Sequence, residues 1–136
     1  MSRTPSQPDF DLLLVDGNNL LHRTHGAVTP GTQAALLAQL RGSLPGVRMI
    51  VVFDGRRPAS GPPGRFAGGP EVRYASGGPG AADEALVALI GEVPWDRRGW
   101  TVLVTDDRAL TERARSAGAL TRRLDWLAEK LGKSRR

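Results

Sequence analysis

Five aspartates carry the first hint of chemistry, because each follows an apolar run or opens the segment after one. Asp16 ends "FDLLLVD", Asp54 ends "VRMIVVFD", and Asp106 and Asp107 follow "WTVLVT". Asp83 comes just after the hinge "SGGPG", which itself follows "EVRYA". Taken singly, each has an ordinary explanation, since aspartate is a good turn and N-cap residue and favours the first turn of a helix. Taken together they form a charge problem. Carboxylates crowded at one place repel one another unless a cation sits among them. The chain has no cysteine and two histidines, so the donors on offer are hard oxygens, which favour Mg²⁺ or Mn²⁺ over zinc. Ions held this way keep waters, accept phosphate oxygens and can activate water for phosphodiester hydrolysis.

Whether the acids meet depends on the elements that carry them. Residues 10–15, 47–53, 71–75 and 100–105 read as strands, with a short fifth at 119–122. The second and fourth are rich in Val, Ile and Leu with little alternation, as in parallel strands covered on both faces. Helical spacing of apolar residues runs through 32–43, 81–93, 107–118 and 123–131. Residues 55–70 are rich in Gly and Pro and carry Arg56, Arg57 and Arg65, so they read as a mobile loop, with a second hinge at 76–80. "GNNLL" after Asp16 reads as a turn. Strands alternating with helices predict an α/β sandwich with a mostly parallel central sheet of four to five strands. In such sheets ligands bind beyond the carboxyl ends of the strands, where all the aspartates fall.

Length and composition set the outer limits. A chain of 136 residues suits one domain, assigned here to residues 10–131 between a disordered tail (1–9) and a basic tail (132–136). The missing cysteines exclude disulfides, thiolate catalysis and cysteine–zinc sites. No run approaches the roughly 18 apolar residues of a membrane span, and the polar start lacks a secretory signal, so the expected setting is cytoplasmic. Nineteen basic against fourteen acidic residues give a net charge of +5 and a pI near 10.9, which suits a polyanionic partner. Seventeen of the basic residues are arginine, beside abundant Ala, Gly and Pro, so a general compositional bias accounts for the charge equally well.

Several phosphate chemistries are excluded by pattern. No G-x-x-x-x-G-K-[ST] loop is present, and "DGNNLL" lacks the G-x-G-x-x-G of a dinucleotide site. A haloacid-dehalogenase-type phosphatase wants an acid two residues after the first, where Asn18 stands, and a lysine before its last acidic motif. The two lysines here, Lys130 and Lys133, both lie after it.

"LLLVDGNNLL", "VVFDG", "EVRYASGGPGAADEALVALI" and "VLVTDDRALTERARSAGA", in that order and spacing, resemble the successive motifs of NYN-domain, YacP-like nucleases of the PIN-like superfamily. The resemblance spans residues 10–131. It implies a PIN-like three-layer fold and metal-dependent cleavage of RNA by an endoribonuclease. It places the catalytic, metal-binding acids at Asp16, Asp54, Asp83 and Asp107, with Mg²⁺ or Mn²⁺ as cofactor. The family's fourth motif resembles "TSD" or "TAD", which puts Asp107 in the metal position and leaves Asp106 as a helix cap or supporting charge. Glu84 lies about 100° around its helix from Asp83, and Asp83 is the preferred ligand of the two. Asn19 joins the catalytic group, as the asparagine that NYN proteins emphasise, to orient water or hold phosphate.

A second likeness qualifies the first. "VDGNNLLHRTHGA" also resembles the opening of 5′-nuclease domains attached to bacterial DNA polymerases, which emphasise the asparagine at the position of Asn18. Their helical arch and helix-hairpin-helix have no room in 136 residues. Toxin-type PIN domains place an acid on their first long helix, and residues 31–43 contain none. For substrate contacts the candidates are Asn18, Arg56, Arg65 and Arg108, with Arg57 beside them, because guanidinium clamps phosphate bidentately. His22 and His25 read as incidental loop residues, and Trp95, Trp100 and Trp126 as packing residues. RNA is the implied partner, free, on the ribosome or in a protein complex, with no membrane role. The alternatives kept are an RNA-binding or regulatory module without cleavage and a DNA-directed 5′-nuclease relative.

Overall fold

The structure, a computed structural model, describes residues 10–59 and 69–134. Arg65 and the assigned tail 1–9 lie outside the described residues. Five strands, β1 (Leu12–Asp16), β2 (Arg48–Asp54), β3 (Glu71–Ala75), β4 (Thr101–Val104) and β5 (Leu120–Arg122), form one sheet in the order β3-β2-β1-β4-β5. Every pairing is parallel. Five helices, α1 (Gly17–Thr24), α2 (Pro30–Leu40), α3 (Ala81–Glu92), α4 (Arg108–Ser116) and α5 (Leu124–Ser134), cover it, and a 3₁₀ segment spans Trp95–Trp100. The result is the three-layer α/β sandwich expected, with the sheet wholly rather than mostly parallel.

Period-two alternation sorts the central strands onto two cores. Leu13, Val15, Met49, Val51, Phe53, Val102 and Val104 face one side, where α1, α2 and α5 supply leucines from 20 to 131. Leu14, Ile50, Val52 and Leu103 face the other, against Leu86, Leu89 and Ile90 of α3 and Leu110 and Ala114 of α4. With both faces covered, β1, β2 and β4 are buried along nearly their whole length.

Two boundaries and one packing expectation differ from the sequence reading. The expected turn after Asp16 is the first turn of α1, whose Leu20 and Leu21 are fully buried. The short amphipathic pattern was masked by Asn18 and Asn19, which favour turns locally and are overridden by packing. α5 runs on to Ser134, past the expected limit at 131. Trp95, expected to pack, is 69% exposed. Arg98 lies over its ring at 4.9 Å and donates to the carbonyls of Gly91, Val93 and Ala117, tying the ends of α3 and α4 together.

Gly17 is where the sheet and α1 come closest. A Cβ there would lie 2.7 Å from the Phe53 ring and 2.8 Å from the Val52 carbonyl oxygen, well inside contact distance. The glycine is required by this approach, which seats α1 directly over the end of β2. Gly17→Ala should therefore destabilise the fold by about 1–3 kcal/mol, the range for overpacking a tight core. A guanidinium denaturation curve with an unchanged midpoint would contradict the contact.

Candidate active site

The strand order places a topological switch between β1 and β4. The chain leaves β1 toward α1 on one face and leaves β4 toward α4 on the other, so the two connections diverge and open a crevice at the carboxyl edge. Asp16 closes β1 on one side of it, and Thr105, Asp106 and Asp107 follow β4 on the other. Asp54 closes β2, and Asp83 sits in the first turn of α3, after β3 and its glycine hinge. The parallel sheet thus brings Asp16, Asp54, Asp83 and Asp107 to one edge.

Asp16 differs from its neighbours in burial, at 3% exposure. It occupies the N-cap position of α1, yet its side chain makes no capping bond. Instead its Oδ2 accepts from Asn19 Nδ2 at 2.5 Å and from Thr105 Oγ1 at 3.0 Å. The turn-former explanation fails for this residue, because its carboxylate is bonded to the side chains of Asn19 and Thr105 and not to the backbone N–H groups of the helix it begins. Thr105 links the two sides of the crevice, since its Oγ1 also accepts from the Asp107 backbone N–H at 3.1 Å.

Asp107 caps α4, with Oδ1 accepting from Leu110 N–H at 2.8 Å, which leaves its other oxygen uncommitted among the described residues. Asp106 is a cap as well, but of a different helix. Its Oδ1 accepts from Leu124 N–H at 2.9 Å and lies 3.6 Å from Arg123 Nε, so it starts α5. The choice between Asp83 and Glu84 is equally concrete. Glu84 is held in a two-point ion pair with Arg113 of α4, at 2.9 and 3.1 Å, which lowers its pKa. Asp83 has no such partner.

The two asparagines divide the work. Asn19 holds the Asp16 carboxylate, while Asn18 Oδ1 accepts from the Asp54 backbone N–H at 3.2 Å and fastens α1 to the end of β2. Arg56 and Arg108 are exposed beside Asp54 and Asp107, where the sequence placed them. Thr105 was missed in the sequence reading. Its signal was available, as a hydroxyl at the end of an apolar strand, but its bonds cross 89 residues of chain. His22 is also better placed than expected. It lines a recess of about 520 Å³ together with Asn19, Arg23, Asp106, Asp107 and Leu124, and His25 does not.

Electrostatics confirm that the acids feel one another. Burial, partly offset by the bonds from Asn19 and Thr105, raises the Asp16 pKa above its ordinary 3.8, and the charges of Asp83 and Asp54 raise it further. Asp83 is raised by partial burial and then by Asp107 and Asp54, against the pull of Arg113. Among the described residues, no three Asp, Glu or His side chains are placed to hold one ion as they stand.

The raised pKa values carry a definite stability sign. Between 3.8 and the folded value the native state holds more protons than the unfolded chain, so stability falls as pH rises through that window. Above the folded value the penalty is present in full. Asp16→Asn, whose amide oxygen can still accept from Asn19 and Thr105, should therefore melt higher than the parent protein at pH 7 in EDTA, and the gain should vanish as pH falls below 3.8. A lower melting temperature for this variant at pH 7 would contradict the burial of charge.

No protein-family model matches the chain, and no curated protein does. Its likeness to known proteins lies in structure. A mutant form of Rae1 (YacP) from Bacillus subtilis shares its fold at a TM-score of 0.70, with 22% identity over 91% of this chain and 76% of that one. A second crystal structure of Rae1 (YacP) from Bacillus subtilis matches at 0.64, with 19% identity over 91% of this chain and 75% of that one. The resemblance to YacP-like proteins drawn from the four motifs is borne out in the fold.

Proposed function

We propose that this chain is a divalent-metal-dependent endoribonuclease acting at the carboxyl edge of its sheet. The observation that carries the reading is the buried Asp16 carboxylate, unused as a helix cap and surrounded by Asp54 and Asp83, whose charges oppose its ionisation. A fold does not accumulate such a penalty for stability. It is relieved when a cation enters.

The donors fit Mg²⁺ or Mn²⁺ in chemistry, being hard carboxylate oxygens with no sulfur and no histidine among the four acids. Magnesium is commonly held by one or two carboxylates and completes its shell with water and substrate phosphate, so it does not require three converging side chains. Asp16 and Asp83 would form the core of the site, with Asp54 and Asp107 at its margins. A bound ion would supply activated water and charge stabilisation at the leaving oxygen. Asn19 and Thr105 keep Asp16 in one orientation, and Arg113 keeps Glu84 out. Arg56 and Arg108 would meet the phosphates of the strand on either side.

RNA is the substrate inferred, from the motif resemblance to NYN-domain nucleases, the likeness to Rae1 (YacP) and the basic charge. No described helix is long and apolar enough to cross a membrane, and a cytoplasmic setting agrees with the absence of cysteine. A second reading, an RNA-binding module without cleavage, draws on the same absence of three converging ligands.

Single-stranded RNA incubated with Mn²⁺ or Mg²⁺ decides between them. Cleavage should appear, stop in EDTA, and fall about 100-fold or more in Asp16→Asn and Asp83→Asn, the loss typical of a removed transition-state charge contact. Glu84→Gln should cut at close to the parent rate. Cleavage that survives both EDTA and Asp16→Asn would overturn the mechanism, and tight binding without cleavage would support the module. The ion has its own readout. Mn²⁺ should raise the melting temperature of the parent protein and leave that of Asp16→Asn unmoved.

A further inference from the structure

The acids lie at the centre of the carboxyl edge, and a polyanion can approach them from the β2–β3 side or from the β4–β5 side. Among the described residues, a recess lies on the second. The recess lined by Asn19, His22, Asp106, Asp107 and Leu124 begins at the residue that holds Asp16 and ends at the first residue of α5. On its far rim stands the β5–α5 turn, which carries two arginines. The Arg122 carbonyl accepts from Thr105 N–H at 3.1 Å, so Arg122 stands beside the threonine that binds Asp16. Arg123 follows it, with Nε 3.6 Å from Asp106.

Availability separates these two from the other cations nearby. Arg23, though it lines the recess, is bound to Asp125 through both Nε and a terminal nitrogen. Arg113 is spent on Glu84. Arg123 has a side chain 81% exposed and, among the described residues, one loose ion pair. Arg122 gives one nitrogen to the carbonyl of its neighbour Thr121 and is otherwise exposed. Arg108, at the start of α4, continues the same rim.

Taking the RNA reading above as its basis, we propose that the strand passes from the acidic centre through this recess and over the β5–α5 turn, with Arg122 and Arg123 binding its phosphates. The turn is a substrate subsite separate from the acids. The central edge is negative, so the energy that holds a polyanion there must come from its flanks. This flank offers exposed guanidinium groups beside a crevice, with Arg123 in a long 3.6 Å contact with Asp106. Both residues are outside the catalytic group, so their contribution is to binding, and it is electrostatic.

Binding of a fluorescent single-stranded RNA oligonucleotide, measured by anisotropy in EDTA across a range of salt concentrations, tests the path. The pair Arg122→Gln, Arg123→Gln should weaken binding roughly tenfold at 0.1 M salt and lower the slope of log K against log salt by about 1.4, two contacts at about 0.7 each. The pair Arg122→Lys, Arg123→Lys should restore most of the slope. Arg41→Gln with Arg73→Gln removes the same charge away from the carboxyl edge, from the end of α2 and from β3, and should leave binding nearly unchanged. All four side chains are exposed, so the glutamine variants keep the fold. Equal losses in both glutamine pairs would show attraction by overall charge and overturn the path. Parent-like binding by the Arg122, Arg123 pair would overturn it and leave the RNA reading standing. A parent protein that does not bind RNA would overturn both, whereas binding without cleavage in Mn²⁺ would remove the nuclease and keep the path.

Discussion

A carboxylate held at the end of a central buried strand is the constraint on which the rest of this structure turns. Asp16 follows three residues with no solvent exposure, and β1 is flanked on both sides by other strands. Burying a charge there is costly unless it is bonded and compensated. The fold supplies two donors, from Asn19 in the first turn of α1 and from Thr105 just after the neighbouring strand β4. The fold then adds further acids, which work against ionisation. Stability alone would have favoured an asparagine or an apolar residue. The conflict is of the kind seen where function is maintained at the expense of folding energy.

The surrounding elements can be understood as means of keeping that strand end in place. Gly17 lets α1 descend onto Phe53, and so brings Asn19 within reach of the carboxylate. Asn18 ties the same helix to the end of β2, and with it to Asp54. Thr105 passes its influence on to Asp107 through a backbone N–H. Three strand ends are thus connected by hydrogen bonds that originate in one short helix and one hydroxyl. The two asparagines that made this stretch look like a turn are the residues that make it a hub.

Much of this was legible in the sequence, for reasons that are physical. Buried parallel strands demand unbroken apolar runs, so β1, β2 and β4 announce themselves, and a residue that ends such a run has its edge fixed by topology. That is why Asp16, Asp54, Asp83 and Asp107 fall at one edge of the sheet, although among the described residues no three of them converge on one point. What could not be read were relations between distant segments. Asp106 and Asp107 are adjacent and chemically identical, yet one caps α5 and the other α4. That division depends on where β5 returns in space, 18 residues later. Glu84 is likewise set apart from the half-buried Asp83 by Arg113 on another helix. α1 was missed because eight residues with two asparagines carry too little local preference, and its stability comes from Leu20 and Leu21 meeting the sheet.

The placement of arginine follows a related logic. An arginine-rich composition scatters guanidinium groups everywhere, and the charge total therefore says little about where a polyanion lies. Pairing is what separates them. Arg48 is taken by Glu71, Arg23 by Asp125 and Arg113 by Glu84, each a surface pair that contributes little to stability but removes a cation from competition. Two exposed guanidinium groups beside the crevice, one of them in a long 3.6 Å contact with Asp106, stand at the end of β5 and just after it, where the last and shortest strand of the sheet closes. An edge strand of three residues has few bonds to protect. Its value to the molecule lies in carrying the chain back to the carboxyl edge, where its final arginine pairs with Thr105 and the next meets Asp106.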